Sequence, residues 1–248
     1  MMKPLKPKPG LTEQVYQALL DEICGGKLTP GAHLIQEQLA SDLGVSRQPI
    51  QQALAMLKND GLLQELGKRG LFVAPLDLAE MRHHYEIRAA LDGLAARLAA
   101  ARARTSKDTA ASMKAEGEAR IAAGRSAVAK GSIAQMIVSD LAFHTFVYEA
   151  SGNPLLAPTA ALHWRQLRRV MGEVLRHAEP PETIWRQHAA ILDAIVRGDA
   201  KRAEAEAIAH VGTAAERLER VLQPLVTATV PEVAVRVPSA KQPRHARS

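Results

Sequence analysis

The segment from Gln36 to Leu57, QEQLASDLGVSRQPIQQALAML, constrains this chain more than any other. Its spacing is that of a helix-turn-helix, two short helices joined at a glycine corner. Leu39 and Ala40 lie in the first helix, and Leu43-Gly44-Val45 form the corner. Gly44 stands where the backbone has to turn sharply, and glycine alone takes positive φ cheaply. Ala40 is small enough to let the second helix approach. Ile50 and Leu54 turn that helix inward. Ser46 suits its N-cap, and Pro49 falls in its first turn, where no intrahelical donor is lost. Arg47, Gln48, Gln51 and Gln52 are left facing outward near its start. Arginine pairs well with guanine in the DNA major groove, and glutamine with adenine. With Ser46, these are the candidate DNA-contacting residues. An ordinary helical hairpin with a glycine turn would share the corner and the buried positions.

The residues after the motif favour the DNA reading. Asp60-Gly61 ends the second helix. Leu62-Leu63-Gln64-Glu65-Leu66 and Leu71-Phe72-Val73 then flank Gly67-Lys68-Arg69-Gly70, the pattern of a β-hairpin. A hairpin directly after a helix-turn-helix is the wing of a winged helix. Lys68, Arg69 and Gly70 at its tip are placed to reach phosphates or the minor groove. Taken singly, a Lys-Arg pair at a turn reads as simple solvation.

Composition sets outer bounds. A chain of 248 residues suits one large or two small domains. Cys24 is the single cysteine, so no internal disulfide forms, which fits a reducing cytoplasm. No run approaches the length of a membrane span, so no membrane partner is expected. The opening MMKPLKPKPG lacks the apolar stretch of a signal peptide and reads as a flexible arm. The net charge of +6 is a weak argument for nucleic acid. It divides as +1 over residues 1–76, +2 over 77–222 and +3 over 223–248, so the excess sits largely in the tail.

Leu11 to Cys24 reads as a first helix with Val15, Leu19 and Ile23 on one face and Thr12 as its cap. Pro75 marks the end of the first domain. Beyond it strand signals vanish, and alanine-rich helical periodicity predicts six helices near 77–104, 107–129, 132–151, 154–178, 182–197 and 200–222. Their short connections imply antiparallel neighbours. The predicted fold is therefore mostly α. A winged helix-turn-helix over 11–76 precedes a bundle of about six helices over 77–222, with an arm at 1–10 and a disordered tail at 223–248.

Polar residues break the apolar faces of this bundle. Asp140 and His144, an i, i+4 pair, fall on the stripe of Ile133, Ile137 and Val147. His188 shares a face with Ile184, Ile191 and Ile195, and His210 with Ala203, Ala207, Ala214 and Leu218. Burying one carboxylate and three imidazoles unpaired is expensive. A shared divalent cation satisfies all four, and the donor set suits Zn²⁺ foremost, with Ni²⁺, Co²⁺ or Mn²⁺ as alternatives. Separate satisfaction is the other reading, with His144 on Asp140 and the other two on backbone groups. Arg88 lies beside the stripe Ile87, Leu91, Leu94, Leu98. It either binds a carboxylate bidentately or pairs with Asp92. His163 and Gln166, in the polar run HWRQLRR, are further candidates for contact with an effector.

At this point the chain resembles a GntR-family transcription regulator of the FadR group, over about residues 11–222. GKLTPGAHL, LASDLGVSRQPIQQALAMLKNDGLL and KRGLFVAPL follow the family's N-terminal pattern. YEIRAALDGLAARLAA, DLAFHTFVYEASGNPLL and QHAAILDAIVRGDAKRAEAEAIAH resemble its FCD ligand-binding domain. The resemblance implies a metal on Asp140, His144, His188 and His210, and a small organic acid beside it, with Arg88 at a position implicated in such pockets. Six bundle helices rather than seven resemble the VanR branch. Gln51 departs from the arginine that many members carry, so the family's usual operator is not assumed.

The expected function is a cytoplasmic, homodimeric, ligand-responsive regulator, a repressor rather than an enzyme. It binds a palindromic double-stranded DNA operator and senses a carboxylate-bearing metabolite. Two rivals stand beside it. One is a metal-dependent hydrolase carrying a DNA-binding domain, against which no HExxH is present. The other is an architectural DNA-binding protein whose metal is purely structural.

Overall fold

A computed structural model describes residues 10–67, 70–177 and 182–228. The first element, α1 (Leu11–Cys24), buries Val15, Tyr16, Leu19, Leu20 and Ile23, the face its periodicity predicts. A two-residue strand β1 (His33–Leu34) leads to α2 (Gln36–Asp42) and α3 (Arg47–Asn59), with the corner at Gly44 held at φ 64°. Ile50, Ala53, Leu54 and Leu57 of α3 are buried against α1, α2 and the sheet. Each such aliphatic side chain contributes about 1.5–3 kcal/mol by leaving water. Strands β2 (Leu63–Glu65) and β3 (Leu71–Val73) pair antiparallel, Gln64 opposite Phe72, and form the hairpin. β1 adds to the free edge of β3, giving the order β1-β3-β2.

Three local expectations need correction. Thr12 lies inside α1, whose N-cap is Gly10, and its hydroxyl donates to Gln52 Oε1 at 2.6 Å. Ser46 occupies the N-cap of α3 in extended backbone, but its hydroxyl makes no capping bond. The strand β1 was not anticipated, because two residues carry no period and the strand exists only through pairing with β3. Lys68 and Arg69 lie outside the described residues.

The rest is helical: α4 (Leu78–Ala103), α5 (Lys107–Ala129), α6 (Ile133–Ala150), α7 (Leu156–His177), α8 (Glu182–Val196) and α9 (Ala200–Ala228). Side-chain caps start several of them, among them α9, where Asp199 accepts from Arg202 N–H at 3.0 Å. The Asp77 carboxylate accepts from Ala79 and Glu80 N–H, Ser106 caps α5 and Ser132 caps α6. Alanines along α4 (Ala95, Ala96, Ala99, Ala100, Ala103) are buried and let its neighbours approach closely. Around them pack Phe143, Tyr148, Trp164, Trp185, Ile191 and Ile195. The last helix runs past the predicted end at 222, through Pro224 to Ala228. Proline removes one ladder bond, and that does not stop a helix already anchored by buried Leu218 and Leu222. The predicted tail beyond 228, like most of the arm before Gly10, lies outside the described residues. Among the described residues, no helix is long and apolar enough to cross a membrane.

Candidate metal and effector site

Three helices bring four polar side chains to one point. α6 supplies Asp140 and His144 one turn apart, α8 supplies His188 and α9 supplies His210. One ligand atom from each lies within 4.8 Å of all the others, and all four residues are buried. His188 Nε2 stands 3.2 Å from His210 Nε2 and 3.4 Å from Asp140 Oδ1, and His144 Nε2 is 3.9 Å from Asp140 Oδ2.

The hydrogen bonds around the rings show which nitrogens face inward. His144 Nδ1 is 3.1 Å from Asp92 Oδ2, and His210 Nδ1 is 3.0 Å from Gln187 Oε1. Both oxygens accept only, so both Nδ1 atoms carry the proton; the Nε2 lone pair of His210 faces the cluster, while that of His144 accepts from Arg88. His188 Nδ1 is buried with no hydrogen-bond partner among the described residues. Burial holds His188 and His210 well below the ordinary imidazole range, aided by His210 and His144 on the first and by His144 and Arg88 on the second. They are therefore neutral at neutral pH, the form that binds a cation. Burial pushes the Asp140 carboxyl up, against the pull of His144 and Arg88. Ring nitrogens and a carboxylate converging within 4.8 Å form a donor set able to hold a divalent metal.

Supporting groups reach the cluster from α4, α6 and α7. Arg88 Nη2 donates to His144 Nε2 at 2.8 Å, and Arg88 Nε lies 3.3 Å from Asp92 Oδ2. Tyr148 donates a short bond to Asp92 Oδ1 and accepts one from Trp164 Nε1 at 3.2 Å. Burial raises the Asp92 carboxyl, but His144 and Arg88 beside it, with bonds from His144 and Tyr148, outweigh that and hold it at about 2. Asp92 is thus a fixed anion behind His144, which orients the ring and makes its other nitrogen a stronger donor to any cation.

A cavity opens onto the cluster. Asp140, His210 and Arg88 form its polar end, Met171, Val174 and Ile184 its apolar wall, and Arg217 and Gln187 add further polar contacts. Of the residues predicted to meet an effector, only Arg88 lines it. Gln166 instead donates to the Asp60 carbonyl, and His163 Nδ1 lies 3.0 Å from His84 Nδ1. Sequence reasoning weighed Asp92 only as a partner of Arg88 and passed over Tyr148, Gln187 and Arg217. Tyr148 one turn after His144, and Gln187 next to His188, were the available signals.

At the other end of the molecule, Ser46, Arg47, Gln48, Gln51, Gln52 and Gly70 are all exposed. The first five share the start of α3. Arg47 is paired with Glu37 at 2.5 Å, and both side chains are about two-thirds exposed (67% and 69%).

A helix-turn-helix module followed by a helical domain with a metal-capable core defines a class of bacterial regulator. The comparisons agree. Residues 83–213, more than half of the chain, match the FCD domain, and residues 11–73 match the bacterial regulatory proteins of the gntR family. The chain belongs to this family, a GntR-type transcription regulator with an FCD ligand domain, and not to a family of enzymes. It is 26% identical over 219 residues to the HTH-type transcriptional repressor RspR of Escherichia coli K12, covering 88% of this chain and 93% of that one. It is 27% identical over 224 residues to the regulator YdhC of Bacillus subtilis, covering 88% and 95%. Among solved structures, E. coli McbR/YncC superposes with a TM-score of 0.73 at 22% identity, over 86% of this chain and 99% of that one. A GntR regulator from Rhodococcus sp. RHA1 does so at 0.66 and 20% identity, over 84% and 96%. These two likenesses bear on the fold.

Proposed function

We propose that this protein is a homodimeric repressor whose grip on a palindromic operator is set by a carboxylate-bearing metabolite bound at a divalent metal, Zn²⁺ foremost. The observation that carries this reading is the buried Asp140–His144–His188–His210 cluster with a cavity opening onto it. A metal there supplies a Lewis-acidic anchor for a carboxylate. Arg88 meets the same carboxylate from α4, Asp92 holds His144 in the ligating tautomer, and Met171, Val174 and Ile184 give the effector's body an apolar wall. Arg47, Gln48, Gln51 and Gln52 read the major groove, with Ser46 and the wing tip Lys68-Arg69-Gly70 on the backbone. Domain limits at 11–76 and 77–222 suit the separate hydrophobic clusters on either side of Pro75. Six bundle helices support the VanR-like branch of the FadR group. The effector must favour one arrangement of the paired DNA-binding modules, because equal affinity for both shifts nothing.

The test is a thermal-shift screen of organic acids on Zn²⁺-loaded protein, repeated after chelation and with His188→Ala. An acid that stabilises only the loaded wild type, and then changes affinity for a duplex selected from a random library, supports the reading. Acids that shift no form of the protein sink the effector half, and leave a DNA binder with a metal of structural role.

A further inference from the structure

A six-residue stretch of α7, Trp164 to Arg169, touches both ends of the molecule. On its outer side, Arg165 Nη1 donates to Asp60 Oδ1 at 2.8 Å, and Gln166 Nε2 to the Asp60 carbonyl. Arg168 Nη2 donates to Asp21 Oδ1 at 2.8 Å, and Arg169 Nη2 to the Ala74 carbonyl. Asp60 is the C-cap of the recognition helix α3, Asp21 lies in α1, and Ala74 follows the wing strand β3. One short stretch of helix therefore holds three separate parts of the DNA-binding module. Asp60 is fixed from its own side as well, since Tyr16 Oη donates to Asp60 Oδ2 at 2.6 Å. Gly61 leaves room for the contact: at φ +73° it turns the chain, and a Cβ there would come within 2.9 Å of Gln166 Nε2.

On its inner side the same stretch enters the bundle site. The Arg88 guanidinium carbon lies 4.0 Å from the centroid of the Trp164 ring, and that ring is 5.1 Å from His144. Trp164 Nε1 donates to Tyr148, which donates to Asp92, which accepts from His144. Leu167, between the two sets of contacts, is fully buried in the bundle and ties the stretch to Met81, Tyr85 and Val211.

We infer that the α7 segment Trp164–Arg169 positions the recognition helix and couples it to the Asp/His₃ site, an inference that rests on that site being the regulatory one. Arg165 and Gln166 are positioning residues for α3, and Trp164 is the link inward. Arg88 and His144 cannot change partners without repacking the Trp164 ring, because close-packed interiors shift between discrete arrangements rather than stretch. The clamp then carries the shift to Asp60, where α3 ends.

Hydrogen exchange on the full chain tests both halves. In chelated protein, Arg165→Ala combined with Gln166→Ala should speed exchange of amides from Leu57 to Leu62 about tenfold, the loss expected for a charge-assisted bond. Exchange in α5 and α8 should be unchanged, which shows that the variant is folded. Unchanged exchange at Leu57–Leu62 overturns the clamp. In the second arm Zn²⁺ alone is added. In wild type it should slow exchange around His188 and His210 and also alter exchange at Leu57–Leu62. Trp164→Phe keeps an aromatic ring under Arg88 but loses the bond to Tyr148, so it should retain the first effect and lose the second. Full transmission in Trp164→Phe overturns the coupling, and so does a wild type protected at the site but unchanged at Leu57–Leu62. If Zn²⁺ slows exchange nowhere, the proposed metal reading fails and the coupling falls with it, while the clamp is judged by the first arm.

Discussion

The start of α3 and the centre of the bundle present their polar groups in opposite ways. On α3, Arg47, Gln48, Gln51 and Gln52 all stand in water, and the ion pair of Arg47 with Glu37 is too exposed to contribute more than a few tenths to about 1 kcal/mol. Such groups cost the free protein almost nothing and leave their partners at little cost when DNA arrives. In the bundle, Asp140, His144, His188 and His210 are withdrawn from water, with His188 at 0% exposure. Groups buried this way oppose folding unless something satisfies them. The surface site is thus understandable from the free chain alone, whereas for the buried site the proposed metal would offset part of the cost of burial.

This contrast can be broken at several points, beginning with the largest expected effect. His188→Ala removes a proposed ligand. Its Zn²⁺ affinity, measured by calorimetry, should fall by well over ~100-fold, beyond what loss of an outer partner does. Asp92→Asn leaves the four ligands in place but weakens the anion behind His144. Titration against a competing chelator should show a loss of about 10–100-fold, and an unchanged affinity would remove Asp92 from the site. Arg47→Ala should weaken binding to a selected duplex by about tenfold or more and relax preference at one base pair, as read by anisotropy. Glu37→Ala should change affinity slightly, in the opposite direction, because it frees Arg47.

The smallest effect concerns the apolar core of the DNA-binding module. Burial pushes the Cys24 thiol up to about 11, with Arg168 and Arg169 pulling the other way. A raised thiol pKa means the folded state favours the protonated form. That contribution to stability is complete below the ordinary thiol range, and is lost as pH rises toward 11. Cys24 should therefore react with a disulfide reagent at pH 8 no faster than the module opens. Rapid modification would show that this core is less closed than the bundle.

Legibility in the sequence followed the range of the interactions. The helix-turn-helix was readable because Ala40, Gly44, Ile50 and Leu54 fall within a few turns of one another and each has a local reason. The four bundle residues were readable as exceptions to a period, since a histidine on an apolar face breaks the helical pattern within its own helix. What could not be read was contact across the chain. Asp92, Tyr148 and Trp164 form a hydrogen-bonded path only after α4, α6 and α7 are packed. Gln166 looked like an effector contact because it lies in a polar run, yet the fold turns it toward Asp60. Pro224 looked like a stop because a proline rule is local, while the helix that runs through it is held by tertiary packing.

The most direct test of the account is the Zn²⁺ content of the full-length protein after dialysis against a weak chelator, measured for wild type and for His188→Ala. The account predicts one tightly held ion per chain in wild type and none in the variant. Wild type without tightly held metal, or a variant that keeps as much as wild type, would contradict the assignment of Asp140, His144, His188 and His210 as a metal centre.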